Sequence, residues 1–125
     1  MPGPGPYSSW PSEEHARWIR AGNTFGRHLM AAARDYAFKL IPKDALAAQR
    51  ELAEKAALDA IYGVMMLLDG VARTPIDDRH RAEYVLSVRV LRESEGPPVE
   101  EFELAPEGDG LCMGFHGWVA GNFGK

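Results

Sequence analysis

Ala60-Ile-Tyr-Gly-Val-Met-Met-Leu-Leu68, closed by Asp69-Gly70, decides how the rest of this chain is read. The nine residues carry no charge and end a longer stretch with helical spacing. A helix that is apolar all round belongs inside a domain. Nine residues are also far short of the roughly 20 that cross a bilayer. The segment therefore predicts a buried helix end rather than a membrane span. Gly70 stands where a left-handed residue would stop the helix.

Upstream, Leu46, Ala53, Ala57, Ile61, Val64 and Leu68 keep helical spacing, so one helix is expected from Lys43 or Asp44 to Leu68. Its first half is amphipathic and its second half plunges into the core. Glu51 precedes Lys55 by four residues, a favourable surface pair. Pro42 should end an earlier helix at or before Ile41. That helix starts with Ser12 as N-cap and Glu13 and Glu14 in its first turn, where negative charge suits the helix dipole. Trp18, Gly22, Phe25, Leu29, Ala32, Tyr36 and Leu40 fall on one face, and Arg20, Arg27 and Arg34 share another. Gly22-Asn23-Thr24 is weak helix former and predicts a break or kink. Residues 1–11 hold four prolines and two glycines and read as a flexible or extended arm. Residues 12–125 form a single domain.

Downstream, 72–82 reads as a polar loop. Residues 83–92 alternate Tyr84, Leu86, Val88 and Val90 with Glu83, Ser87 and Arg89, the pattern of a strand. Residues 93–98 make a turn, and 99–104 a second strand that closes an antiparallel hairpin. The tail from Leu111 fits two periods. As a helix, Leu111, Phe115 and Trp118 share a face. As a strand, Leu111, Met113, Phe115 and Val119 do. Glycine weakens a helix by roughly 1 kcal/mol per residue, and the tail holds Gly114, Gly117, Gly121 and Gly124. A third strand near 111–118 with an irregular end is therefore expected. The fold class is α+β, with two long N-terminal helices packed on a small three-stranded antiparallel sheet.

Composition bounds the function. The chain has 125 residues, long enough to bury a core without staples. Its only cysteine, Cys112, excludes an internal disulfide and fits a cytoplasmic location. No basic segment followed by an apolar run marks a secretory signal. A net charge of −4 argues against nucleic-acid binding, which needs clustered Lys and Arg. The charge is uneven. Arg17 to Arg50 holds seven basic and two acidic residues, whereas Glu93 to Asp109 holds seven acidic and no basic ones.

The candidate chemistries are each outweighed by a plainer explanation. His15, His28, His80 and His116 show no metal-ligand spacing, so no metal is expected. Asp77-Asp78-Arg79-His80 offers acid–base groups, yet aspartates in such a loop usually make turns. Cys112 with His116 suggests a thiol and its base, but flanking apolar residues favour a small buried hydrophobe. No glycine pattern matches a phosphate-binding loop, and no cofactor is expected. Met65-Met66 reads as core rather than as an adaptable binding face. Two features remain as recognition surfaces. One is the acidic hairpin, with Glu93, Glu95, Glu100, Glu101, Glu103, Glu107 and Asp109, in which Glu101 and Glu103 share a face opposite Glu100, Phe102 and Leu104. The other is the aromatic tail, Phe115, His116 and Trp118 with Phe123.

The order of elements, with Ala60 to Val71 closing in Leu-Leu-Asp-Gly and an acidic strand region after it, resembles small bacterial immunity-type proteins. The resemblance covers about a third of the chain. It implies inhibition of a toxin by protein–protein contact rather than catalysis. The expected function is a non-enzymatic protein-binding module. Its partner sites are Glu100, Glu101, Glu103, Glu107, Asp109, Phe115, His116 and Trp118, set against a basic partner surface. No membrane partner is expected, and the chain is a monomer or a homodimer. The alternatives are a small enzyme or ligand binder using Asp77, Asp78, His80 and His116, and a homodimeric structural module joined through the first helix or an edge strand.

Overall fold

The computed structural model describes residues 11–93, 96–106 and 110–124. The arm expected at 1–11 lies almost wholly outside the described residues, as do Glu95, Glu107 and Asp109 of the acidic segment.

The first helix begins one residue later than Ser12 predicts. Glu13 is the N-cap, and its carboxylate accepts from the backbone N–H groups of His15 and Ala16. Two orphan donors of the first turn are thereby satisfied. Helix α1 runs Glu14–Leu29, widens into a π-helical segment at Met30–Asp35, and resumes as α2, Tyr36–Lys39. The expected kink at Gly22-Asn23-Thr24 is absent, because those residues lie inside continuous α-helix. The irregular winding comes a turn and a half later and brings Met30 into the core. Helix α3, Ala47–Leu68, starts where Gln49 reaches back to the N–H of Leu46. It ends at Gly70, whose φ of 77° only glycine adopts readily.

Strands β1, Leu86–Val90, and β2, Glu100–Ala105, pair antiparallel. Val88 lies opposite Phe102 and Arg89 opposite Glu101. Leu86, Val88, Phe102 and Leu104 face the helices, while Ser87, Arg89 and Glu101 face out. The alternation expected of the hairpin is therefore present, and the chain is α+β.

The tail corrects the expectation of two N-terminal helices on a three-stranded sheet. Leu111–Val119 is a helix, α4, and the described sheet has two strands. Four glycines did not prevent this, because Gly121 and Gly124 lie beyond the helix and Gly114, like Gly26 of α1, is where an indole needs room. A Cβ on Gly26 of α1 would sit 2.2 Å from the Trp118 indole, and one on Gly114 would sit 2.6 Å from it. The indole lies against bare backbone, and its Nε1 donates to Asn23 Oδ1 at 2.9 Å. Phe25 meets the same ring edge-on at 5.9 Å. On the other side, Phe115 packs on Tyr62 of α3 at 5.5 Å. Helix α4 thus wedges between α1 and α3, and Leu111, Phe115 and Trp118 are all buried.

The apolar run at 60–68 needs a correction of its own. Met65 is sealed, but Val64 is 50% exposed and Ala60 is open. Helix α3 packs on α4, α2 and the π segment, while Leu52, Ala56, Ala60 and Val64 stay exposed. An apolar run all round the helix therefore leaves an apolar outer face. No helix among the described residues is long and apolar enough to cross a membrane.

Candidate acidic groove beside Trp18

Three side chains fasten α1 to β2. Arg17 Nε donates to both oxygens of Glu100 at 2.9 and 3.2 Å, with both side chains mostly buried. At the next residue, Trp18 Nε1 donates to the carbonyl of Glu103 at 2.9 Å. The helix start is thereby held against the outer half of β2. Between them lies an open groove of about 460 Å³, lined by Glu13, Glu14, His15, Trp18, Glu101, Phe102 and Glu103.

Four carboxylates face this groove, and their states differ. Glu13 is committed to the helix cap. The N–H groups of His15 and then Ala16 hold its carboxyl below the usual carboxylate range. Glu101 is half engaged by Arg89 at 3.2 Å in the open. Glu14 is exposed. Glu103 is half-buried, and its Oε2 is shut off from solvent without a hydrogen-bond partner. A buried, unbonded carboxylate oxygen is unfavourable. The indole of Trp18 forms one wall, with His15 at 5.5 Å.

Trp18 also borders a second hollow. This one is apolar, about 180 Å³, and bounded by Gly22, Leu104, Leu111 and Trp118, with the exposed Ile19 and Met113 also lining it. Drug-sized ligands occupy pockets of roughly 300 Å³ or more. A hollow of this size suits one apolar side chain.

The partner residues expected from sequence therefore separate. Glu101 and Glu103 share the groove. Glu100 does not, because its carboxylate is turned to Arg17 on the inner side of β2. Glu107 and Asp109 lie outside the described residues. Phe115 and Trp118 are buried core, since a helix and not a strand carries them, so neither can meet a partner. His116 is exposed beside Tyr62, with ring centroids 5.6 Å apart. Three contributors went unnoticed in the sequence: Glu13 and Glu14, which read only as helix-start residues, and Trp18, which read only as core. No local pattern could have joined positions 13–18 to 101–103.

The candidate acid–base groups do not assemble. Asp77 Oδ1 lies 2.7 Å from His80 Nδ1 in an exposed loop tied by the Pro75–Arg81 bridge. The Arg79 N–H, and then His80, hold the Asp77 carboxyl below its usual range. The hollow at this loop is lined by Asp77, Asp78, Arg79 and His80, without His116. Cys112 does not pair with His116 either. Burial and then hydrogen bonding to Asp69 push its thiol above the usual thiol range. Asp69 itself caps α4: Oδ1 accepts from Leu111 N–H and Oδ2 from Cys112 N–H, each at 2.8 Å. Among the described residues, no group of three or more His, Cys, Asp or Glu is placed to hold a metal.

No protein-family model, curated protein or solved structure matches this chain.

Proposed function

We propose that the chain is a non-enzymatic protein-binding module that takes a basic segment of a partner into the groove beside Trp18. The observation that carries this is the open groove itself, lined by four carboxylates, Glu13, Glu14, Glu101 and Glu103, beside the Trp18 indole. A Lys or Arg side chain would meet the exposed carboxylates of Glu14 and Glu101, which would also steer it in. The adjoining apolar hollow would take a neighbouring apolar side chain. The fitting ligand is therefore a basic residue next to an apolar one. Inhibition of a toxin in the immunity manner is the biological form this binding would take, with the groove covering a basic active surface.

The test uses a decalysine peptide with one central leucine, titrated calorimetrically and by tryptophan fluorescence. Binding should exceed that of plain decalysine and weaken as salt rises. Glu14→Lys and Glu101→Lys, both exposed, should abolish it without unfolding the protein. Glu100 is left alone, since removing it strands Arg17. Equal heats for wild type and both variants would remove the groove from consideration. A toxin captured by the wild type, and not by these variants, should lose its lethality when co-expressed with the chain.

A further inference from the structure

The outer face of α3 is the largest feature that the groove leaves unexplained. It carries Leu52, 70% exposed, then Ala56, Ala60 and Val64 at intervals of four residues, one continuous ridge along the helix. Gly63 lies beside this ridge, and a Cβ there would meet nothing within 4 Å. The ridge reads large, small, small, large, so it is nearly the same in both directions. A surface of that kind is complementary to itself when turned through a two-fold axis, which is what an isologous dimer requires. We propose that two copies of the chain associate through this face, their α3 helices antiparallel, with the two-fold axis at the level of residue 58. Leu52 then faces Val64 of the second copy, and Ala56 faces Ala60.

The charges agree with that axis. Lys55 and Asp59 pair within the helix at 2.6 Å and are both largely exposed on one flank of the ridge. A two-fold axis across the helices brings like flanks together. Lys55 lies three residues before the axis and Asp59 one residue after it. The second copy's Asp59 is therefore about 3 Å along the helix from Lys55, and each lysine can bridge to the opposite aspartate. A parallel arrangement would instead place the two Lys55–Asp59 flanks on opposite sides of the seam, where no such bridge forms. The small residues at the crossing, Ala56 and Ala60, let the backbones approach closely.

The face is modest in size. Helix α3 has 22 residues, so it offers a strip about 33 Å long and about 10 Å wide. That footprint of about 330 Å² per copy is under half the area of a standard stable interface. The dimer is accordingly weak and reversible. It is independent of the acidic groove, and its tests read no ligand.

Sedimentation velocity over a concentration series should show the mass rising from 13.8 kDa toward twice that value. Leu52→Glu should weaken association at least about ten-fold, a loss of 1.4 kcal/mol or more, with an unchanged melting curve. Lys55→Asp should weaken it too, and Lys55→Asp with Asp59→Lys should restore it. The axis is tested by cysteines in a Cys112→Ala background. Ala56→Cys mixed with Ala60→Cys should oxidise to the mixed disulfide faster than either alone forms its own. A protein that stays at 13.8 kDa throughout, or dimerises equally well as Leu52→Glu, overturns the proposal. Faster self-linking of Ala56→Cys overturns the axis.

Discussion

Replacing Asp69 should unhinge α4 from the rest of the molecule. Its two carboxylate oxygens accept from Leu111 and Cys112 N–H at 2.8 Å each, across more than 40 residues of sequence. They serve as the N-cap that Gly110, with φ 104°, has no side chain to provide. An ordinary N-cap side chain contributes about 1 kcal/mol. This one is charged, sits at the positive end of the helix dipole, and satisfies two partly buried donors. Together these suggest about 2–3 kcal/mol for Asp69→Ala. For a chain of this length that corresponds to a fall in Tm of very roughly 8–12 °C. Asp69→Asn keeps one acceptor and loses the charge, so it should cost about half as much. Urea unfolding followed by tryptophan fluorescence reads both values, since Trp118 is carried by α4. The reasoning fails if Asp69→Ala stays within about 0.5 kcal/mol of wild type, or if Asn is as costly as Ala.

Glycine substitutions should have opposite signs at two helical positions. Gly26→Ala drives a Cβ to 2.2 Å from the Trp118 indole, and overpacking of about 1–3 kcal/mol should outweigh the gain in helix propensity of about 1 kcal/mol. Gly63→Ala meets open space and should stabilise by about 0.5–1 kcal/mol in the same denaturation assay. Glu13 contributes stability above its unfolded pKa, because its folded pKa is the lower of the two. That contribution should vanish as pH falls through the folded value, so thermal melts of Glu13→Gln should show a flatter loss below the ordinary carboxylate range than wild type. Cys112 should alkylate slowly with iodoacetamide at pH 8, as its thiol is raised by burial and by Asp69. The pH midpoint of that reaction should move down in Asp69→Asn, and an unmoved midpoint would show that Asp69 does not act on the thiol.

Much of the helical framework was legible. Pro42 and Gly70 stop helices where chain geometry demands it, and α2 and α3 end at Lys39 and Leu68 accordingly. The alternation of Leu86, Val88 and Val90 with Ser87 and Arg89 likewise marked a strand with one covered face. The first helix was harder. Gly22 looked like a weakness, yet its lack of a side chain leaves room for the apolar hollow, as that of Gly26 leaves room for an indole. The tail was misjudged for the same reason. Counting the helix penalty of its glycines omits what Trp118 gains by lying on Gly26 and Gly114.

Local sequence alone thus determined where helices stop, which face of the hairpin is apolar, and that the acidic charge is concentrated after residue 92. These follow from short-range sterics and from side-chain period, which need no knowledge of neighbours. Tertiary structure alone decided that 111–119 is helical, that Glu100 is neutralised by Arg17, and that Glu13, Glu14, Glu101 and Glu103 share one groove with Trp18. It also decided that the apolar run of α3 keeps one face open. Each of these depends on groups far apart in sequence, an aspartate on α3 capping α4 and an arginine on α1 reaching β2, and their proximity exists only once the chain has packed.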